Sequence, residues 1–383
     1  MHRKFGYAPR MTSAFNSSAF ELHSSLFTQP FVIGTIMELI AAGIGLLALL
    51  AALGLTPLIR RAALRIGFTD KPGARKIHMR EIAYGGGLAV AGAFALALGA
   101  AWLIQAHWPY LPLGADIPKR GSLPVAACGA LVMLLLGLID DRRKLSAGVK
   151  LAVQLLVASA TVAGGFRITA FIGDNWLMKT VTVIWITLIT NSFNLLDNMD
   201  GLCSGTVAIS SGVLAVVAGS SAQWTLACAL AALSGASAGF FAFNRSPASI
   251  FLGDAGSLFC GYCMACFTVL VTYYRENEPS HLAIGIPLLV LAIPLYDTAS
   301  VILIRIKEGR PVMQGDTSHF SHRLTHLGMS RPQAVATIHL ACLAIGMGAT
   351  ILPKLPETSG LLIVAQACLV LTIIALLERA GRK

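Results

Sequence analysis

The sequence predicts an all-α, polytopic integral membrane protein, and three observations support this class. Apolar residues make up 56% of the 383 residues and charged residues only 12%, and the mean hydropathy is +0.73. Soluble domains have about 45–50% apolar and about 25% charged residues, so this chain has too little polar surface to enclose a soluble core. The third observation is a series of apolar stretches as long as membrane-spanning helices. The same composition excludes disordered, collagen-like and disulfide-scaffold proteins.

Eleven apolar segments are long enough to cross a bilayer, for which a helix needs about 20 residues. In chain order they are residues 31–55, 85–106, 123–139, 148–165, 180–196, 203–220, 224–243, 255–273, 282–304, 333–352 and 360–377. The first is too long for the apolar core of a signal peptide, so we interpret it as a helix. The sequence therefore predicts a polar leader at 1–30, one multi-helix transmembrane domain at 31–377 and a basic tail at 378–383.

The distribution of basic residues predicts which loops face the cytoplasm. The net charge is +11, from 29 Lys and Arg against 18 Asp and Glu. Alternate loops, beginning with 56–84, carry 20 of these Lys and Arg residues, and the opposite set carries nine. Because Lys and Arg accumulate on the cytoplasmic side, the N-terminus is predicted outside and the C-terminus inside. We attribute the positive charge to membrane topology and expect no nucleic-acid partner.

Five polar sequences interrupt the apolar pattern, and consecutive ones are separated by two predicted spans. They are Lys71–Gly87, Asp140–Asp141, Asn191–Gly201, Asn244–Ser257 and Asp316–Arg323. All five are therefore predicted on the cytoplasmic face, where they could form one site. The predicted loops on the opposite face are short and contain no comparable polar sequence.

Acidic and amide side chains in two of these sequences are candidates for catalysis. Asp140 and Asp141 end a predicted helix, where a carboxylate opposes the helix dipole. Either they pair with the basic residues 142–144, or they serve as oxygen ligands or a base. Four further side chains recur at three-residue intervals, along one stripe of a helix: Asn191, Asn194, Asp197 and Asp200. A water-exposed helix end could explain them, but unpaired acids at a membrane boundary favour a functional role.

Two other sequences are suited to phosphate. Asp254 lies in a Gly-containing loop at a predicted helix start. The free N–H groups of a helix start favour phosphate oxygens, and the carboxylate of Asp254 could hold Mg²⁺ against such a phosphate. The alternative is that Asp254 is an ordinary N-cap. His319, His322 and Arg323 form a basic cluster typical of a phosphate clamp. Zinc binding is disfavoured, because the sequence has no HExxH motif. Lys76 is explained equally well as a positive-inside anchor.

These features together indicate an enzyme that joins a polyanionic, water-soluble substrate to a lipid acceptor. A membrane transporter or lipid flippase is the alternative from another class. Transporter sites usually lie near the bilayer midplane, whereas most of these acids occur at the ends of predicted spans. Glu38 and Asp297 are the exceptions within spans. The position of the acids therefore favours the enzyme.

Five motifs in this order resemble the polyprenyl-phosphate N-acetylhexosamine-1-phosphate transferases, glycosyltransferase family 4. They are DKPxxRKxH with a following GGG, LIDDRRKLS, NSFNLLDNMDGL, FLGDAGS and DTSHFSHRL. The resemblance implies transfer of a sugar 1-phosphate from a UDP-sugar to undecaprenyl phosphate, with release of UMP. It implies a requirement for Mg²⁺, which Mn²⁺ could replace. It also implies a bacterial inner-membrane enzyme with a cytoplasmic active site, at the first membrane step of a cell-envelope polysaccharide pathway.

The resemblance further implies roles for individual residues. The expected metal ligands are Asp254 and Asp140. The expected catalytic residues are Asp140, Asp141, Asp197 and Asn191. The expected substrate-binding residues are Asp200, Asn194, Asn244, Phe251, His319, His322, Arg323 and Lys76. Phe251 would stack on uracil, and the histidines with Arg323 would bind the diphosphate or the sugar phosphate.

The chain departs from the family pattern at two positions that bear on these contacts. Asn198 stands where the family often has glycine, and Ser321 stands where another histidine is expected. The RKIH sequence at 75–78 is more similar to the N-acetylglucosamine branch than to the branch that forms lipid I. We therefore predict UDP-N-acetylglucosamine as the donor, with lipid I formation as the alternative. A homodimer is compatible with the sequence.

Overall fold

The computed structural model describes residues 30–70, 81–114, 122–168, 175–274, 279–311 and 318–380. The predicted leader up to residue 29, Lys76, Asp316 and the last three residues of the basic tail lie outside the described residues. Most of the described chain is helical, as the apolar segments predict.

The described residues form thirteen α-helices, and every predicted apolar segment corresponds to one helix or to a broken pair. The helices are α1 Pro30–Arg65, α2 Gly86–His107, α3 Ser122–Arg143, α4 Ala147–Ala163, α5 Trp176–Leu196, α6 Leu202–Ser220, α7 Trp224–Asn244, α8 Gly253–Leu270, α9 Ile286–Val290, α10 Ala292–Lys307, α11 Phe320–His326, α12 Arg331–Ile351 and α13 Glu357–Ala380. Two short 3₁₀ helices, His281–Gly285 and Leu352–Lys354, precede α9 and α13 respectively.

Eight of these helices are long and apolar enough to cross a membrane: α1, α2, α3, α6, α7, α8, α12 with the 3₁₀ turn after it, and α13. A ninth candidate is the pair His281–Val290 and Ala292–Lys307, which is bent by 65°. The two remaining predicted spans correspond to α4, which has only 17 residues, and to α5, which ends in a polar turn. The predicted class, a polytopic helical membrane protein, is confirmed.

A two-stranded antiparallel sheet departs from the purely helical prediction. Strand β1 (Thr69–Asp70) pairs with β2 (Ile82–Ala83), with Thr69 opposite Ala83. Phe251, just before α8, donates its backbone N–H to the carbonyl of Ala83 at 2.9 Å. Strands of two residues have no alternation that a sequence pattern could reveal. The sheet joins the polar loop after α1 to the loop before α8.

Helix α8 is the most enclosed of the candidate spans. Of its apolar stretch, 78% is buried, compared with 11% for α13. It packs against α2, α3 and α5, so the N-terminal end of α8 is surrounded by the ends of other helices.

Two glycines allow α2 and α3 to approach this end of α8. A Cβ atom on Gly87 would lie 2.3 Å from the backbone nitrogen of Gly256, and one on Gly137 would lie 2.3 Å from Cα of Ala255. Such distances are far below van der Waals contact, so only glycine permits these backbones to meet. The contact at Gly137 places the C-terminal turn of α3, and its two aspartates, beside the first turn of α8.

Candidate active site

A strongly acidic cleft of about 640 Å³ lies at the N-terminal end of α8. Its charged lining residues are Asp70, Asp141, Lys144, Asp197, Asp200, Asp254 and Arg331. Among the described residues, five carboxylates therefore share this cleft with two cationic side chains. Carboxylates in one site repel each other unless a cation or a proton compensates them. The cleft is suited to a cation bound together with a polyanionic ligand.

Lys150 lies between the two carboxylates that the sequence predicts as metal ligands. Its Nζ atom is 2.9 Å from Oδ2 of Asp140 and 2.9 Å from Oδ2 of Asp254. Lys150 was not among the predicted site residues, because one lysine in the first turn of an apolar helix is an ordinary positive-inside residue. The packing of α3, α4 and α8 makes it the shared ionic partner of Asp140 and Asp254.

Asp141 caps α8 instead of presenting both oxygens to the cleft. Its Oδ1 accepts the backbone N–H of Asp254 at 2.8 Å, and its Oδ2 accepts that of Ala255 at 3.2 Å. A negative charge is stabilised at a helix N-terminus. The helix start that the sequence suggested for phosphate is therefore occupied by a carboxylate of the protein. Asp254 is not the N-cap, because that position belongs to Leu252.

Asp197 directly follows α5 and lines the same cleft. Burial raises the pKa of the Asp197 carboxyl well above its usual range, and repulsion by Asp254 and Asp141 raises it further. A smaller contribution in the same direction comes from Asp200, whereas a hydrogen bond from the backbone of Gly253 lowers the pKa. Asp197 is therefore a carboxyl group that holds a proton more firmly than an ordinary aspartic acid.

The two asparagines of α5 contact other side chains of the site. Asn194 donates its Nδ2 to Oδ1 of Asp254 at 3.1 Å and to the hydroxyl of Ser257 at 2.9 Å. Asn191, one turn earlier, donates to the side-chain oxygen of Gln154, which is buried. Asn194 thus orients the predicted metal ligand Asp254. Neither asparagine is among the described residues that line the cleft.

Asn244 is buried, and three of the four hydrogen-bonding positions of its amide are used within the protein. Its Oδ1 accepts the N–H of Gly201 at 3.1 Å and the hydroxyl of Ser204 at 2.8 Å, and its Nδ2 donates to the carbonyl of Ile250 at 3.0 Å. These bonds tie the start of α6 to the loop before α8. Asn244 also lines the cleft, so it holds the cleft wall, and the uridine contact predicted for it stays a prediction.

Asp200 and two aromatic residues, Phe251 and Tyr84, also line the cleft. Asp200 accepts the N–H of Ala248 through Oδ2 at 3.0 Å. The rings of Phe251 and Tyr84 have centroids 5.9 Å apart, and both residues line the cleft. Burial and the charge of Asp70 raise the pKa of Tyr84 above its usual range, so its phenol stays neutral. Phe251 thus lies where a planar base could stack, with Tyr84 beside it.

Residues 318–323, here called the histidine segment, do not line the cleft and are joined to its wall. The hydroxyl of Ser321 donates to Oδ1 of Asn198, which is a lining residue. At the start of the segment, Asp297 contacts Nδ1 of His319 at 2.9 Å through Oδ2 and accepts the N–H of Phe320 through Oδ1. Asp297, which the sequence predicts within a span, therefore supports the histidine segment.

Arg323 is buried, and its guanidinium contacts protein groups on several sides. It donates to the hydroxyl of Ser300 at 2.7 Å and to the carbonyl of Ser318, and its Nε lies 3.1 Å from Oε2 of Glu378. These contacts hold Arg323 between α10, α11 and α13, and the phosphate contact predicted for it stays a prediction. His322, in contrast, has no hydrogen bond from its ring among the described residues. Burial and the neighbouring charge of His319 lower the pKa of His322.

The residues of the cleft fit the Mg²⁺ that the resemblance implies. No group of three or more His, Cys, Asp or Glu side chains in the described residues could hold a metal ion without other ligands. Mg²⁺ typically takes one or two carboxylates and completes its shell with waters and substrate phosphates. Asp254 lines the cleft, whereas Asp140 is buried and is not among the lining residues. Oδ1 of Asp140 accepts the N–H of Leu145, and its Oδ2 shares Lys150 with Asp254. The two carboxylates together provide the donor set that Mg²⁺ requires, with Asp254 as the ligand on the side of the cleft.

Comparison with known proteins shows which family this chain belongs to. Residues 123–272, which include α3 to α8, match the glycosyl transferase family 4. A probable undecaprenyl-phosphate N-acetylglucosaminyl 1-phosphate transferase of Bacillus subtilis is 31% identical over 86% of this chain and 90% of its own length. A decaprenyl-phosphate N-acetylglucosaminephosphotransferase of Mycolicibacterium smegmatis is 30% identical over 88% of both chains. An undecaprenyl-phosphate alpha-N-acetylglucosaminyl 1-phosphate transferase of Escherichia coli is 25% identical over 74% of this chain and 76% of its own.

Together with these relatives, the polytopic helical fold identifies the chain as a membrane-embedded phosphotransferase. The chain belongs to the polyprenyl-phosphate N-acetylhexosamine-1-phosphate transferases of glycosyl transferase family 4, in the branch of the N-acetylglucosamine enzymes. The resemblance read from the five motifs is thereby confirmed.

Proposed function

We propose that this enzyme transfers N-acetylglucosamine 1-phosphate from UDP-N-acetylglucosamine to undecaprenyl phosphate and releases UMP. An oxygen of the lipid phosphate forms a bond to the phosphorus that carries the sugar, and the bond from that phosphorus to the oxygen of UMP breaks. The observation that carries the proposal is the ion pair of Lys150 with both Asp140 and Asp254, because Asp254 lines the acidic cleft of a multi-span protein and Asp140 lies buried behind it. The names of the relatives supply the sugar and the lipid class.

The protein side chains have separate tasks in this proposal. Asp254 and Asp140 would hold Mg²⁺, which neutralises phosphate charge and so reduces the repulsion between donor and acceptor. Lys150 keeps the two carboxylates together and supplies a positive charge beside them. Asn194 orients Asp254, and Phe251 stacks on the uracil ring. Asp197, with its raised pKa, takes up a proton from the acceptor phosphate when that phosphate is monoprotonated.

The proposal includes a topology of eleven spans with the cleft facing the cytoplasm. The distribution of Lys and Arg supports this orientation, because α3 and α10 end in basic residues and α12 begins with Arg331, and because Lys144 and Arg331 line the cleft. UDP-sugars are cytoplasmic metabolites, so a donor site on this side is consistent with the reaction. We accordingly place the protein in the bacterial inner membrane.

The direct test uses the purified full-length protein in detergent with UDP-N-acetylglucosamine, undecaprenyl phosphate and Mg²⁺. We expect UMP and a lipid-linked N-acetylglucosamine diphosphate in equal amounts. Competition by UDP-N-acetylgalactosamine and UDP-MurNAc-pentapeptide determines the donor. Preference for UDP-MurNAc-pentapeptide would replace this proposal by lipid I formation. Absence of UMP with every donor would contradict the enzymatic proposal.

The metal assignment is tested with Asp254→Asn, which keeps the shape of the side chain and removes its charge. We expect a loss of turnover of about a hundredfold or more, and loss of the Mg²⁺-dependent rise in Tm. Glu38→Gln is the matched control, because Glu38 is exposed on α1 and is not among the described residues that line the cleft. Wild-type turnover in Asp254→Asn would contradict the assignment.

A further inference from the structure

The two positions at which the chain departs from the family pattern contact each other. Asn198 lies in the turn between α5 and α6, next to Asp197, and Ser321 lies in the first turn of α11. They are 123 positions apart, and the hydroxyl of Ser321 donates to Oδ1 of Asn198. The contact therefore connects the acidic turn of the cleft to the histidine segment.

The amide of Asn198 is oriented for this bond by a second interaction. Its Nδ2 donates to the carbonyl of Leu195 at 2.8 Å, in the last turn of α5. Because one end of the amide is held by α5, the acceptor oxygen points to Ser321. Ser321 is only 1% exposed, so loss of Asn198 would leave a buried hydroxyl with one partner fewer, and water could not easily replace it.

Two buried carboxylates, Asp297 and Glu378, bind the histidine segment. Asp297 binds its start, through the ring of His319 and the backbone of Phe320. Glu378, near the end of α13, lies 3.1 Å from Arg323 and also accepts the hydroxyl of Tyr296. These contacts fix the segment to α10 and α13. The Ser321 hydroxyl joins the same segment to the wall of the cleft.

We propose that Asn198 and Ser321 are a positioning pair that sets the histidine segment against the acidic cleft for donor binding. This inference rests on the proposed function. In it, Arg323 anchors the segment through Glu378, and the Ser321–Asn198 bond determines how close the segment, with His322, lies to the donor in the cleft. Asn198 and Ser321 act on the donor through the segment, without contacting the reacting atoms.

The pair is tested by a double-mutant cycle with Asn198→Ala, Ser321→Ala and the double variant. Each single substitution is expected to raise KM for UDP-N-acetylglucosamine by about three- to tenfold, with kcat within about twofold of wild type. The double variant should match the worse single variant, because both changes remove the same bond. Ser321→Thr retains the hydroxyl and should restore KM. Thr325→Ala is the control, since its hydroxyl bonds only within its own helix, to the carbonyl of His322.

Thermal unfolding separates positioning from a purely structural effect. We expect Tm of Ser321→Ala to stay close to that of Thr325→Ala, and Tm of Asn198→Ala to fall further because it leaves the buried Ser321 hydroxyl without this acceptor, while KM rises to a similar extent in both single variants. Single variants whose KM effects multiply in the double variant would overturn the inference, as would an unchanged KM in Ser321→Ala or a loss of activity that follows Tm. Absence of UMP from the wild-type protein would instead reject the proposed function, so the two failures are distinguishable.

Discussion

At the scale of single residues, the site depends on charges that are close together and incompletely compensated. Lys150 is the ionic partner of both Asp140 and Asp254. Two carboxylates that share one ammonium group retain a net negative charge, and Mg²⁺ binds where carboxylate oxygens and phosphates can surround it. Lys150 and Mg²⁺ are therefore expected to compete for the same pair of carboxylates. Removal of Lys150 should then strengthen the binding of Mg²⁺.

Replacing Lys150 with Met tests this relation. The methionine has a similar length and no charge, so the Asp140 and Asp254 carboxylates repel each other more strongly and attract a divalent cation more strongly. We expect the Mg²⁺ concentration for half-maximal activity to fall and turnover to fall by about 10- to 100-fold. Activity and Tm measured across a Mg²⁺ titration provide the check. A half-saturation value equal to that of wild type would show that Lys150 and the metal do not share these ligands.

The raised pKa of Asp197 predicts the acid side of the pH profile. A carboxyl with a raised pKa stays protonated to higher pH, so the deprotonated, active form appears only as pH increases through that value. We expect kcat/KM to rise with pH, with a midpoint above the ordinary aspartate value of about 3.9. Asp200→Asn removes one repelling charge and should move the midpoint to lower pH, as should additional Mg²⁺. A midpoint that neither change moves would exclude Asp197 as the titrating group.

At the scale of elements, helix contacts made through glycine bring the aspartates together. Gly137 lies one turn before Asp140 and Asp141, and its α-carbon faces the backbone of Ala255. The α3 and α8 backbones are therefore in direct contact where their acidic residues meet. Asp141 strengthens the same junction by capping α8. The geometry of the site thus depends on the distance between two helix axes.

Gly137→Ala tests this contact, with Gly99→Ala as the matched control in α2. The added methyl group at 137 would lie 2.3 Å from backbone atoms of α8, whereas nothing lies within 4 Å of one at position 99. We expect Gly137→Ala to lose about 1–3 kcal/mol of stability and most of its turnover. Gly99→Ala should be neutral or more stable by up to about 1 kcal/mol, because alanine favours the helix. Equal Tm and activity in the two variants would contradict the contact.

At the scale of the whole molecule, function requires the cleft to face the compartment that contains the donor. The predicted orientation places residues 107–122 outside and the C-terminus inside. Reporter fusions test it. A fluorescent protein after Lys383 should fold and fluoresce, and alkaline phosphatase fused after Gly114 should be active, because it would be exported. The opposite pair of results would show that the topology is inverted and that the cleft faces away from the compartment that contains the proposed donor.

Much of the architecture follows from local properties of the chain. Hydropathy over a single segment reports whether that segment can lie in lipid, so the helical class and the position of each apolar helix were predictable. Ordered polar motifs such as FLGDAGS also predicted the family and drew attention to Asp140, Asp254 and Asp197. The β1–β2 pair was not predicted, because strands of two residues are too short to show an alternating hydrophobic pattern.

The sequence by itself determined that this is a polytopic helical membrane protein with acids gathered at its helix ends. Only the tertiary structure decided what those groups contact: Lys150 between Asp140 and Asp254, the cap that Asp141 forms on α8, and the bonds that occupy Asn244. The physical reason is range. Hydropathy and charge add up along a stretch of chain, whereas a hydrogen bond or an ion pair depends on ångström distances between helices, which no single segment encodes.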